Sequence, residues 1–297
     1  MEARVSWQQQ EERGADWGVA LTTWVARVLG RRIARIFVLF PLTWFFLTGS
    51  AARKASRDFL TRALGRMPTL REQWRHFRTF ADCALDRVFL LGGNAGLDIR
   101  VHCADPVLES ARQGGALLLV SHFGSFEVMR VRGTRDYQLP ISILMDRAHG
   151  RRFIAAVERL DPALSAEVID AGEGGPTLVL KLKEALQRGR LVGVMADRVR
   201  GGEPTLTVNF LGAPARLPAA PWQLALVLGA PVILGFSIYR GAGRYDTHYE
   251  LFSAGMTSAR SARATALQAA AQGYADRLTE HARQAPYNWF NFYDFWS

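Results

Sequence analysis

A histidine and a glutamate stand five positions apart in the stretch "SHFGSFE", immediately after the apolar run "GALLLV". A short apolar run bounded by turn residues predicts a buried strand, which places His122 at the strand's carboxyl end. Open α/β sheets bind their ligands beyond that edge. Gly124 permits a tight turn, and the helix that follows would bring Glu127 to face the histidine. A carboxylate that holds one imidazole nitrogen fixes the tautomer, so the other nitrogen can accept a proton.

The same spacing also fits a structural pair, a capping or core histidine beside a solvated glutamate, and spacing alone leaves both interpretations open. Ser121 and Ser125 flank the histidine, but no G-x-S-x-G elbow supports a hydrolase nucleophile. We expect Gly124 and Ser125 to be among the residues that bind substrate. The sequence also contains no phosphate-cradling G-x-x-x-x-G-K motif and no H-E-x-x-H motif. We therefore expect a general base without a protein nucleophile, and neither a metal nor another cofactor.

Two further apolar runs end in polar residues that could join this site. Asp197 and Arg198 follow "LVGVMA", and Arg147 follows "ISILM". At the carboxyl edge of a sheet, Asp197 and Arg198 would bind substrate or organise the site, whereas the alternative is a structural ion pair. Arg147 would meet a phosphate group of a bound substrate, or else be a solvated loop arginine.

The pattern of the chain predicts the scaffold that positions these residues. From residue 97 onward, short apolar runs alternate with helical patterns, which is typical of an α/β fold with a central, mostly parallel β-sheet flanked by helices. The predicted strands are "LDIRVHC", "GALLLVSH", "LPISILM", "SAEVID", "RLVGVMAD", "TLTVNFL", "APVILGFSIY" and "THYELF". Helices are predicted at 126–132, 151–160, 177–188, 221–228 and 259–285, and at two amphipathic stretches within 51–91 that break at Met67 and Pro68.

The N-terminal region is different in character. From Ile36 to Leu47 the sequence is apolar apart from Thr43, with Arg31, Arg32 and Arg35 before the run and Arg53 and Lys54 after it. A run of about 12 apolar residues is shorter than the roughly 20 of a membrane span, so it predicts either an interfacial helix or a buried core helix. We expect residues 1–50 to form a membrane-associating helical segment and residues 51–297 to form the catalytic domain.

Composition restricts the partners. The formal net charge is +10 and the cationic residues are mostly arginine, which predicts an anionic partner: nucleic acid, an anionic membrane or an acidic carrier protein. No nucleic-acid-binding module is recognisable, so we do not expect nucleic acid. The two cysteines, Cys83 and Cys103, form no metal-ligand cluster or disulfide framework, which favours a reducing compartment.

Several blocks of the chain resemble a known family of enzymes. "SHFGSFE" resembles the H-x4-D/E signature of the glycerolipid and lysophospholipid acyltransferase superfamily, in the glutamate form of the branch that contains bacterial lipid A late acyltransferases. "ADRVRGGEPTLTVNFLGAPARLPAAP" is similar to a later block of that branch, and "GAPVILGF" to the final proline block of the superfamily. The N-terminal hydrophobic helix and the closing "APYNWFNFYDFW" match in position and character.

The resemblance implies an acyltransferase that moves a fatty acyl group from an acyl carrier protein or acyl-CoA thioester to a hydroxyl of a lipid or glycolipid. His122 would remove the hydroxyl proton and Glu127 would stabilise the imidazolium. Arg198 or backbone amides near Gly124 would stabilise the oxyanion. The expected location is the cytoplasmic face of a bacterial inner membrane. Alternatives are another acceptor, an aryl polyene head group or a mannosylated phosphoinositide, and a non-catalytic membrane-binding relative.

Overall fold

The structure is a computed structural model of the chain, and it describes residues 16–91, 96–102, 105–136, 140–147 and 168–296. The described helices are α1 (Asp16–Thr48), α2 (Ser50–Leu64), α3 (Leu70–Leu91), α4 (Asp105–Gln113), α5 (Phe126–Asp136), α6 (Gly175–Gln187), α7 (Ala220–Leu228) and α8 (Arg263–Gln284). The described strands are β1 (Asp98–His102), β2 (Ala116–Gly124), β3 (Ile141–Met145), β4 (Val168–Asp170), β5 (Leu191–Met195), β6 (Thr205–Phe210), β7 (Ala213–Pro218), β8 (Val232–Gly241) and β9 (Arg244–Ser253).

Seven of the described strands form one sheet in the order β1-β9-β8-β2-β5-β3-β4. From β8 to β4 neighbouring strands are parallel, whereas β9 runs antiparallel to β8. Alternate residues of β2 enter different cores: Leu117 and Leu119 pack with α2, α6, α7 and α8, and Leu118 and Val120 pack with α4 and α5. The predicted α/β fold, with a mostly parallel central sheet flanked by helices, is therefore confirmed.

The predicted elements and the observed ones differ in two described places. The structure adds α4 and β7, and β7 contains Pro214 and Pro218, which argue against a strand by local pattern. Among the described strands, β7 pairs with β6 alone, in a two-stranded hairpin. The prolines are tolerated there because no further strand would need their missing N–H groups as donors. The predicted helix 151–160 lies outside the described residues.

Helix α1 is docked on α3 through buried charges and aromatic rings. It kinks at Gly30, and beyond the kink Arg31 Nε lies 3.2 Å from Oδ1 of Asp86, a fully buried carboxylate. Arg35 lies 3.6 Å from the same oxygen and 3.7 Å from Asp82. These two arginines, expected from the sequence to flank a membrane, therefore bind α3 carboxylates because the buried charges need partners.

Within the described chain, no helix alone has the length and apolar character needed to cross a membrane; the segments Gly30–Thr48 and Ser50–Leu64 meet that criterion only as a pair, bent by 88°.

Candidate functional site

The site forms where β2 and β5 end side by side. Ala196 continues the pairing, its N–H donating to Val120 O (2.9 Å), so that Asp197 comes to lie against His122. Nδ1 of His122 lies 2.8 Å from Oδ1 of Asp197, and the His122 backbone N–H donates to Oδ2 of the same carboxylate (2.9 Å). A histidine and an aspartate that are 75 residues apart in sequence thus form a two-point contact.

Asp197 is fully buried, yet its hydrogen bonds keep it ionised. Oδ2 also accepts hydrogen bonds from Nε1 of Trp289 (3.0 Å) and Nδ2 of Asn291 (3.2 Å). Burial by itself raises the pKa of this carboxyl, but the adjacent His122, its hydrogen bonds and the charge of Arg198 bring the pKa down to about 2. Asp197 is therefore an anion at neutral pH.

The imidazole of His122 is arranged as a base. Burial lowers its pKa below 6.5, and the positive charge of Arg198 acts in the same direction, while Asp197 opposes both. The ring is therefore neutral near pH 7, with its proton on Nδ1 facing the carboxylate. Nε2 has no hydrogen-bond partner among the described residues, and the side chain is 28% exposed, so this nitrogen can reach a bound molecule.

Glu127 was predicted to face His122, but the structure gives it different contacts. It lies in the first turn of α5, yet its Oε1 lies 3.1 Å from Nε of Arg87 on α3, and its Oε2 accepts a hydrogen bond from Ser125 Oγ (3.4 Å). In the described part of the chain the orienting hydrogen bond to the imidazole comes from Asp197. The reason is geometric: the end of β5 lies directly beside the end of β2, while Glu127 is turned toward α3.

Gly124 makes the turn that the sequence predicted. Its φ is +63°, and a Cβ at this position would lie 1.5 Å from the Ser237 carbonyl oxygen, so only glycine fits. However, the amides expected to serve as oxyanion donors are already used. The Gly124 N–H donates to Asn288 O (2.8 Å) and the Ser125 N–H to Ser237 O (3.3 Å). Ser125 itself is buried.

The two predicted arginines lie in different surroundings. Arg198 belongs to the site: its Nε donates to Asn291 Oδ1 (2.6 Å) and its Nη2 to Phe290 O (2.8 Å). Arg147 is exposed beyond β3, and its backbone N–H donates to Asp170 Oδ1 (3.1 Å) at the end of β4. It lies at the same edge of the sheet, but none of its described contacts reaches His122.

From the sequence, the aromatic residues of the C-terminal segment were expected either to pack in the core or to line an acyl groove, and none of the segment's residues was assigned to the catalytic pair. Trp289, Phe290 and Phe295 are indeed buried. The polar Asn291 within this aromatic run is buried as well, and it bonds both Asp197 and Arg198. The signal that the sequence offered was a polar residue within an aromatic run. Where such a run is buried, its polar group requires hydrogen-bond partners.

Among the described residues, no group of three or more His, Cys, Asp or Glu side chains is arranged to hold a metal ion. A comparison with curated proteins found no match. A comparison with protein families found one: the model of the bacterial lipid A biosynthesis acyltransferases matches residues 104–297, which include His122, Asp197 and the C-terminal segment.

Proposed function

The chain belongs to the bacterial lipid A biosynthesis acyltransferase family, and we propose that it transfers a fatty acyl group from the thioester of an acyl carrier protein or acyl-CoA to a hydroxyl of a lipid or glycolipid. The observation that carries this proposal is the His122–Asp197 pair, with Nε2 available at the carboxyl edge of the sheet. An alcohol is a weak nucleophile at its own pKa, so the reaction needs a positioned base of this kind.

In the proposed reaction, Nε2 of His122 takes the proton of the acceptor hydroxyl while its oxygen attacks the thioester carbonyl. A C–O bond forms, the tetrahedral intermediate collapses, and the C–S bond breaks. The leaving thiolate takes the proton back from the imidazolium. Asp197 stabilises the imidazolium between these two transfers, and the positive charges of Arg198 and Arg87, both of which act on His122, favour the developing oxyanion.

Replacing the base tests this proposal. We expect purified His122→Ala to remain folded and to lose transfer from a fatty acyl thioester by about 10²–10⁴-fold, the usual contribution of positioned proton transfer. The fold should persist because the His122 ring is partly exposed and the backbone N–H to Asp197 remains. Near-normal turnover by the variant would show that His122 is not the base, whereas the absence of transfer by the wild-type protein would favour the non-catalytic, membrane-binding alternative.

We further propose that the acceptor is a glycolipid of the lipid A type and that the enzyme works at the cytoplasmic face of the inner membrane. An aryl polyene head group and a mannosylated phosphoinositide are the alternative acceptors. Lipid mass spectrometry of cells with and without the gene distinguishes them, because the missing acyl group identifies the acceptor. Complementation with His122→Ala is the control, and restoration of the lipid by this variant would exclude His122 catalysis.

The proposed contact with the bilayer is an exposed apolar face of α1, which we term the apolar face. Its members recur at helical spacing and stand on the side away from α3: Ile33, Ile36, Phe37, Phe40, Trp44 and Leu47. Phe40 is 72% exposed and Trp44 is 71% exposed. The opposite side of the helix is used by the fold, where Phe46 packs edge-on against Trp74 at 5.3 Å.

This arrangement reduces the electrostatic part of membrane binding relative to the sequence-based expectation. Arg31 and Arg35 bind α3 carboxylates, and Arg53 donates to Leu47 O (2.7 Å) at the end of α1. Of the five flanking basic residues, Arg32 and Lys54 stay exposed. Each contributes on the order of 1 kcal/mol near an anionic surface, so apolar burial should dominate.

Point substitutions test the apolar face more cleanly than removal of residues 1–50. That deletion would remove the ion pairs of Arg31 and Arg35 with Asp86 and would uncover the face of α3 on which α1 packs, so it would change the fold as well as the surface. We expect Phe40→Ser with Trp44→Ser to weaken co-sedimentation with anionic vesicles by roughly tenfold per side chain. Leu180→Ser with Leu251→Ser, which changes two exposed apolar residues on α6 and β9, is the control and should bind normally. High salt should weaken wild-type binding only in part; wild-type protein that stays in the supernatant would exclude this surface.

A further inference from the structure

The C-terminal segment, residues 286–296, lies directly against the end of β2. Phe123 and Trp289 form an antiparallel bridge, in which the Phe290 N–H donates to His122 O (2.8 Å) and the Gly124 N–H donates to Asn288 O (2.8 Å). His76 of α3 holds the same segment from the other side, with Nε2 2.8 Å from Trp289 O. The segment is thus fixed by backbone hydrogen bonds at His122 and Gly124 and by the side chain of His76.

Its side chains divide the two oxygens of Asp197 between different partners. Oδ2 faces the His122 backbone N–H, Trp289 Nε1 and Asn291 Nδ2, whereas Oδ1 faces the His122 ring. The amide of Asn291 is fixed in turn, because its Oδ1 accepts from Arg198 Nε (2.6 Å). Trp289 and Asn291 are both buried, so water does not compete with their hydrogen bonds to Asp197.

We propose that Trp289 and Asn291 are positioning residues: by occupying Oδ2 of Asp197 they direct Oδ1 to Nδ1 of His122 and set the basicity of the imidazole. This inference rests on the proposed function only in taking His122 as the base. Neither residue touches the reacting atoms; both act through Asp197.

The direction of the effect follows from the hydrogen bonds. A donor on a carboxylate withdraws part of its negative charge, so Asp197 holds the imidazolium less tightly than it would with Oδ2 vacant. Removing one donor should therefore raise the pKa of His122. The other charged groups that act on the ring, Arg198 and Arg87, stay in place when Trp289 is changed.

Trp289→Phe is the main test, because phenylalanine keeps an aromatic ring but lacks the indole N–H. Trp222 provides the matched control: it is equally buried in the same core cluster, but its Nε1 has no hydrogen-bond partner among the described residues. Trp222→Phe therefore causes a similar loss of core packing without removing a donor. The imidazole resonances of full-length protein labelled with ¹³C and ¹⁵N at histidine are titrated, and the His122 signal is identified by its absence in His122→Ala.

We expect Trp289→Phe to raise the pKa of His122 by about 0.5–1 unit relative to Trp222→Phe. The acid limb of kcat/KM should move up with it, because the base must be neutral. Equal values in the two variants would overturn the proposal and assign Trp289 to packing alone. The titration does not depend on turnover. Failure of the positioning role of Trp289 and failure of the acyltransferase assignment therefore give different results.

If Trp289→Phe does not fold, Asn291→Leu decides by the same titration. Leucine has a similar volume and removes the Nδ2–H donor without adding charge, so the pKa of His122 should again rise. Asn288→Leu is its control: Asn288 is a buried amide of the same segment, but it accepts from the Tyr239 backbone N–H (2.7 Å) and is not among the hydrogen-bond partners of Asp197. No difference between these two variants would overturn the proposal.

Discussion

Asp197→Asn is the substitution for which the structure gives the sharpest expectation, since it changes one atom and removes one charge. Three N–H donors converge on the Oδ2 position, from His122, Trp289 and Asn291. The amide oxygen of asparagine will therefore take that position. Its NH₂ group then occupies the Oδ1 position, 2.8 Å from Nδ1 of His122. An NH₂ group there donates to Nδ1 and forces the imidazole proton onto Nε2, the nitrogen that must accept a proton.

The size of the effect follows from the number of donors. Flipping the amide to recover the productive tautomer would turn NH₂ toward three buried donors, at about 1 kcal/mol or more for each unsatisfied group. A total of roughly 3 kcal/mol lowers the productive fraction about 100-fold. The lost stabilisation of the imidazolium adds to this, so kcat/KM should fall by about 10²–10⁴-fold. The fold should persist, because the amide oxygen still accepts the three bonds.

The assay is acyl transfer from a fatty acyl thioester across pH, with thermal unfolding as a check on the fold. Removing the negative charge lowers the pKa of His122, so the acid limb of the residual activity should move to lower pH, opposite to the shift expected for Trp289→Phe. Asp246→Asn is the control: this carboxylate accepts a hydrogen bond from Arg240 (2.7 Å) at the β8–β9 hairpin, and its loss should leave transfer unchanged. Activity within tenfold of wild type and an unshifted pH profile for Asp197→Asn would refute the role assigned to Asp197.

Two further predictions concern residues around this pair. Glu127→Gln should reduce transfer severely but less than His122→Ala, because it removes a negative charge beside Arg87 while Asp197 still orients the imidazole. Kinetics of both variants under one condition check the order, and an unaltered rate and pH profile would exclude Glu127 from the site. His76 is buried against Ser56 and Trp289, and burial lowers its pKa from 6.5 to about 4. The unfolded chain therefore binds this proton first, so the stability that His76 contributes is complete above pH 6.5 and is lost as pH falls toward 4, by up to about 3 kcal/mol. Urea unfolding of wild type and His76→Gln at several pH values should show a flatter acid dependence in the variant, and parallel curves would contradict this assignment.

Local patterns predicted the elements that carry the site. The apolar run before His122 and the run before Asp197 both form strands, and both residues lie at the carboxyl edge as expected. The turn at Gly124 was also predictable, because a histidine, a glycine and a helix start follow one another in sequence. Such features depend on neighbours within a few residues, and the side-chain pattern of a strand or a helix records them directly.

The partners of these residues were not predictable in the same way. The sequence placed Glu127 opposite His122 because the two are close along the chain, whereas the sheet order puts Asp197 there, 75 residues away. Likewise Arg31 and Arg35 looked like membrane-flanking charges until the docking of α1 on α3 brought them to Asp86. A buried charge takes whichever partner the fold brings within reach, and this choice leaves no local signature.

The sequence by itself determined the α/β fold and the position of His122 at the carboxyl edge of the sheet, where we propose that it acts as the base. Only the tertiary structure decided which carboxylate holds the histidine and that Trp289 and Asn291 fix that carboxylate. It also separated the apolar face of α1 from the side packed on α3. The physical reason is that strand order and helix docking are set by long-range packing, and hydrogen bonds between residues such as Asp197 and Asn291, 94 positions apart, exist only once that packing is complete.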